Sequence, residues 1–159
     1  AYNADEKELC RLDEIYSAAK APFEIRSGSE KVTRRFFKIC DKGQDSFTGL
    51  YKSLTEQGKC KGHQCIAYGL YMRDNGIELS EGLAVYGYSI CSAIVTNCVK
   101  LVPLSQLAGQ KILGESFELI SSAAEKALFS DINDIGISGA GFDLRAMQHE
   151  QLYSRQYMS

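Results

Sequence analysis

The sequence predicts an all-α protein, an irregular helical bundle around a central uncharged helix at about residues 81–101. Three observations carry that prediction. Apolar residues recur at spacings of three and four along most of the chain, the signature of one buried helix face. No stretch alternates as a strand does over more than four or five residues, and no hairpin signal is present. Proline occurs only at Pro22 and Pro103, each at a place where a helix would end. With 159 residues the chain fits one helical domain, 1–159. A chain of this size buries roughly two-thirds of its extended surface, enough for a core without covalent staples.

Each element can be read in turn. Asn3 with Glu6 forms a capping box that opens a helix over about 4–20, with Leu9, Leu12, Tyr16 and Ala19 on one face. Pro22 ends it. Ser27 with Glu30 is a second box, followed by the stripe Val32, Phe36, Ile39 and Cys40, with Arg34 and Arg35 on a solvated face. After Asp41-Lys42-Gly43, the residues Phe47, Leu50, Tyr51 and Leu54 fit i, i+3, i+4, i+7, and Gly58 supplies a stop. A helix from about 62 to 75 carries Ile66, Leu70 and Tyr71, with Gly76 as a left-handed cap. Ser80 caps the uncharged helix, and Pro103 breaks it. Ser105 caps a long helix over roughly 106–129, with Leu107, Ile112, Leu113, Phe117, Ile120, Ala124 and Leu128. A glycine-rich connection, 136–141, leads to a C-terminal helix. Gly69 and Gly87 lie inside helices at a cost of about 1 kcal/mol each against Ala, which points to close helix–helix approach.

Composition excludes several function classes. A formal charge of -2 leaves no basic footprint for nucleic acid. The run from Gly82 to Val99 is eighteen residues without a charge, near the lower limit for a membrane span. Its Ser, Thr, Asn and Tyr groups are costly against lipid, so a helix buried on all sides explains it better, with no membrane partner. The six cysteines could form three disulfides, but a domain of this size does not need them, and free thiols in a reducing cytoplasm fit better. The first residues are polar and acidic, unlike a signal peptide.

Chemistry-bearing patterns are sparse. Cys60, His63 and Cys65 are the softest ligand set, suited to zinc, nickel or copper. Their spacing offers three ligands across a helix start, and a buried cysteine with a capping histidine is the competing reading. Neither His63 nor His149 has the context of a nucleophile motif. The glycine-rich loop lacks a phosphate-binding lysine. The carboxyl end is more telling. Leu144, Met147 and Leu152 run into a tail with Tyr153, Arg155, Tyr157 and Met158. Tyr, Arg and Met are enriched at interface centres, and nothing follows to cover them. Residues 142–159 are therefore expected to be a partner-docking helix and tail, with Met147, His149 and Glu150 contributing. Tyr86 and Tyr88 are candidates for an oligomer interface, with core packing the equal alternative.

The uncharged helix continues into Lys100, the corner Val102-Pro103-Leu104-Ser105-Gln106, and Gly109-Gln110. This hairpin resembles the urease accessory protein F family, the helical chaperone component of nickel insertion into urease. His63, Tyr68-Gly69 and Gly76-Ile77 are similar to further elements of that family. Met147-Gln148-His149-Glu150 and Leu152-Tyr153-Ser154-Arg155 are similar to the Helicobacter-type version. The resemblance is read over about residues 27–159, and the family's N-terminal Phe-Pro-x-Gly and His-Ser-x-Gly-Leu-Glu type segment is absent, so a C-terminal fragment of a Helicobacter-type member is expected.

The resemblance implies a non-enzymatic cytoplasmic adaptor. Its implied partners are the D or H accessory protein, the nickel-carrying accessory GTPase (the G component), apo-urease and a second copy of itself. It implies no resident cofactor, though transient nickel is compatible with it. A GTPase-regulating role on the partner is a further implication, and a metallochaperone holding nickel through Cys60, His63 and Cys65 is the alternative. Lys100, Pro103, Gln106, Gly109 and Gln110 form the structural corner.

Overall fold

The computed structural model describes residues 5–40, 42–136 and 139–153. Within them the protein is all-α, with eight α-helices, one short 3-10 turn and no strand. The helices are α1 (Glu6–Ala19), α2 (Phe23–Ile39), α3 (Phe47–Glu56), α4 (Gln64–Asp74), α5 (Leu79–Leu101), α6 (Gln106–Glu115), α7 (Phe117–Leu128) and α8 (Ala140–His149). The chain divides into two compact units, one from Asn75–Ser130 and the other from the segments on either side.

The unit that holds α1–α4 and α8 has the apolar core. Leu9, Phe37, Tyr51, Leu54, Cys60, Ile66, Ala67 and Leu70 are buried together, drawn from the apolar stripes of α1 to α4 and the α3–α4 connection. Phe36 lies against Tyr68 and edge-on to Tyr71, so α2 packs on α4 through aromatic rings. Local chemistry accounts for most helix ends. Asp5 caps α1 by accepting from the Glu8 N–H at 2.9 Å. Ser46 caps α3 by accepting from the Gly49 N–H, and Gly76 takes φ 69° after α4.

Four helix boundaries differ from the sequence reading. The Asn3 box lies outside the described residues, and Asp5 does the capping. Helix α2 starts at Phe23, not at the Ser27 box, because Pro22 occupies its N-cap position and its first N–H is satisfied by Glu150, 127 residues away. Helix α5 starts at Leu79, with Glu78 at the N-cap position and Ser80 inside the helix. The long helix expected over 106–129 is two helices broken at Ser116. The Ser116 hydroxyl donates to the Leu113 carbonyl at 2.7 Å, a side-chain bond that competes with the helical ladder.

The second unit is the hairpin α5–α6 extended by α7. The uncharged helix packs heavily against α7 and α6. Leu113, Ile120 and Ala124 are buried there. A Cβ on Gly109 would come within 2.7 Å of Val99 Cγ2, so glycine is what lets α6 approach α5. A Cβ on Gly87 would meet Ile120 Cγ2 at 3.1 Å, which bears out its reading as a close-approach residue. Gly69 has open space around it, and nothing in the structure explains it. One expectation fails here. Among the residues of α5 only Gly82 is buried, so the helix is not enclosed on all sides. By length and composition α5 also reaches the size of a membrane-crossing helix.

Candidate functional site

Four of the five corner residues, all but Pro103, line a common cleft. Ser105 accepts from the Ala108 N–H at 3.1 Å and starts α6, which turns back along α5. Lys100, Gln106, Gly109 and Gln110 then line one cleft of about 430 Å³, with Val95 and Val99 as its apolar floor. Pro103 sits in the connection that forces the reversal.

On the other side of α5, the groove against α7 has a volume of about 520 Å³ and is almost wholly apolar. Leu83, Ile90, Leu119, Ala123 and Ala127 line it, with Tyr86 at its edge. Tyr88 faces elsewhere. Its ring stacks on Phe117 at 5.8 Å and it remains 40% exposed. The unit also leaves Leu107, Leu119 and Phe129 in solvent.

The C-terminal helix is anchored at one end and open at the other. The Glu150 carboxylate accepts from the Phe23 N–H at 2.8 Å, at the N-terminus of α2, where a negative charge is favoured. His149 Nδ1 lies 2.6 Å from Glu24 Oε2. These two residues, read as docking groups, are engaged within the chain. Phe142, Leu144 and Tyr153 stand well exposed, with Met147 and Leu152 less so. Arg155, Tyr157 and Met158 lie outside the described residues.

The soft-ligand set does not converge. Cys60 Sγ lies 3.4 Å from Cys10 Sγ. His63 Nε2 shares a 2.7 Å hydrogen bond with Ser17 Oγ. Cys65 interacts with the Tyr16 side chain. Among the described residues no group of three or more His, Cys, Asp or Glu is arranged to hold a metal ion. Burial pushes the Cys60 and Cys65 thiols up, so both stay protonated rather than offering thiolates.

What the sequence reading missed is the polar knot beneath these residues. Asp13, on the buried face of α1, accepts from Lys61 N–H at 2.7 Å, Gly62 N–H at 3.0 Å and the Tyr51 hydroxyl at 2.5 Å. The Tyr51 oxygen in turn accepts from the His63 N–H at 2.8 Å. One carboxylate thus holds the 61–63 loop onto α1 and α3. The available signal was an acidic residue on an otherwise apolar helix face, one turn after Leu9. Burial lowers the pKa of His63, which is wholly buried with Nδ1 unpaired. The tautomer with its proton on Nε2 leaves only a lone pair unsatisfied.

Comparison with known proteins adds the family context. The UreF family model matches residues 1–116. Urease accessory protein UreF of Actinobacillus pleuropneumoniae serotype 5b is 34% identical over 158 residues, covering 99% of this chain and 70% of that protein. The Haemophilus influenzae protein of the same name is 34% identical over 152 residues, covering 95% and 65%. That of Arthrobacter sp. is 30% identical over 155 residues, covering 95% and 68%. These matches correct the expected Helicobacter-type resemblance over about residues 27–159. The family pattern engages from residue 1 rather than from about residue 27, and the similarity runs along nearly the whole chain to relatives of other genera.

Proposed function

For a chain that belongs to the UreF family of urease accessory proteins, we propose the role of a cytoplasmic docking adaptor in urease maturation. The family is one of non-catalytic chaperones. The adaptor binds the D/H accessory protein, recruits and regulates the nickel-carrying GTPase, and so serves nickel insertion into apo-urease. Nickel is cargo of the assembly and not a resident cofactor. Self-association into a homodimer belongs to the same reading.

The observation that carries the proposal is the open apolar surface of α8. Phe142 and Leu144 are 70% and 61% exposed, and Tyr153 beyond them is fully so. Burying them against a partner removes that area from water at roughly 25 cal/mol per Å². The helix is already oriented by the Glu150 contact to α2, so docking costs less ordering than an unattached tail would. Arg155 follows Tyr153 by two residues in the sequence. A desolvated interfacial arginine carries about 2–4 kcal/mol, or roughly thirty- to several-hundred-fold in affinity.

The test is capture of the D/H component and then the GTPase by immobilised chain. Leu144→Ala/Tyr153→Ala and Arg155→Ala are expected to keep their helical circular dichroism and to lose capture at least tenfold. Unchanged capture by all of them removes α8 and the tail from the docking site.

A further inference from the structure

We propose that Cys10 and Cys60 form an oxidant-responsive dithiol–disulfide pair that ties α1 to the α3–α4 connection. Their sulfurs lie 3.4 Å apart although 50 positions separate them in the chain, and both are free thiols. Buried groups on both sides set the contact. Leu9, beside Cys10, is wholly buried in the core, and Asp13, one turn further, holds the N–H groups of Lys61 and Gly62 next to Cys60. Closing from this contact to a disulfide of about 2.05 Å needs a movement of about 1.4 Å, within the reach of side-chain rotation.

The two cysteines differ in access, which sets their roles. Cys10 is half-buried at the edge of the core, whereas Cys60 is 4% exposed. A hydroperoxide reaches Cys10 first. Its O–O bond breaks, two electrons leave the Cys10 sulfur, which becomes a sulfenic acid, and hydrogen peroxide releases one water. The Cys60 sulfur then attacks the Cys10 sulfur. The S–O bond breaks, the Cys60 proton leaves with the hydroxide as a second water, and the S–S bond forms. Two thiols are oxidised, one peroxide is reduced to two waters, and a dithiol reductant reverses the step.

The consequence is a chemical clamp on α1. Closing a loop of this length constrains the unfolded chain, which for a protein of this size raises the thermal midpoint by about 10 °C. The experiment treats the full chain with hydrogen peroxide, alkylates remaining thiols under denaturing conditions, and maps peptides by mass spectrometry beside a thermal melt. A Cys10–Cys60 peptide lacking two hydrogens is expected, with the raised midpoint, and both revert with dithiothreitol. Cys10→Ser, at the half-buried position, is expected to keep the reduced protein's melt and to abolish cross-link and shift together. Cys60→Ala gives the same readout from the buried side. Cys10 driven to sulfinic acid with Cys60 still alkylated overturns the proposal. So does a cross-link to another cysteine, or a Cys10–Cys60 link that leaves the midpoint unmoved.

Discussion

Tyr51→Phe is the sharpest probe of the polar knot, because it deletes one oxygen and keeps the ring that packs beside Phe37. In the folded protein that oxygen donates to Asp13 and accepts from the His63 N–H. Its loss removes a hydrogen bond to a charged acceptor, about 1.5–3 kcal/mol, and strands a buried N–H at about 1–3 kcal/mol. The phenylalanine is cheaper to bury than a hydroxyl, which offsets part of this. Asp13 keeps its bonds from Lys61 and Gly62, so the knot is weakened and not dissolved. The net expectation is a loss of about 2–4 kcal/mol, or about 5–15 °C in thermal midpoint. Urea denaturation followed by helical circular dichroism measures it as a fall in midpoint at constant slope. A loss below about 0.5 kcal/mol would refute the claim that this hydroxyl joins α1 to the 61–63 loop.

The same group predicts an alkaline dependence. Burial, then the bond to Asp13, pushes the Tyr51 phenol well above its ordinary value of 10. The stability it contributes is present below pH 10 and is lost as pH rises beyond it, since the unfolded phenol ionises first. Tyr51→Phe should flatten that alkaline slope. His63 acts on the acid side. Burial lowers its pKa from 6.5, so stability is full above that value and falls as pH drops through it, and an acid titration of wild type without a loss starting near pH 6.5 would contradict this. Gly109→Ala should destabilise the α5–α6 hairpin by about 1–3 kcal/mol through overpacking on Val99, with Val99→Ala restoring it. Gly114→Ala, with open space at its Cβ, serves as the control and should be neutral or stabilising by up to about 1 kcal/mol. Glu150→Gln should cost about 0.5–1 kcal/mol by weakening the charged cap on α2, visible as faster amide exchange at Phe23.

What could be read from the sequence was local. The stripes Phe47, Leu50, Tyr51, Leu54 and Ile66, Leu70 name the helices and much of the core, because period and caps act within a few residues. The corner at Pro103 and Gly109 was legible for the same reason. The start of α2 was not, because its cap comes from Glu150. Nor was the knot, since Asp13 finds its partners 38 to 49 positions away. Hydropathy identified α5 as apolar but could not tell a helix enclosed in a core from one with a face left open. Of the docking tail, residue types pointed to Leu144 and Tyr153, while His149 and Glu150 proved to have intramolecular partners.

Size-exclusion chromatography with light scattering, run on the chain alone and with the D/H and G components, tests the adaptor account most directly. The account predicts a dimer alone, a larger complex with the D/H component, and GTPase joining only when that complex has formed, with both complexes, but not the dimer, lost with Leu144→Ala/Tyr153→Ala. A chain that keeps its own mass in the presence of both components, or a variant that assembles as wild type does, would contradict it.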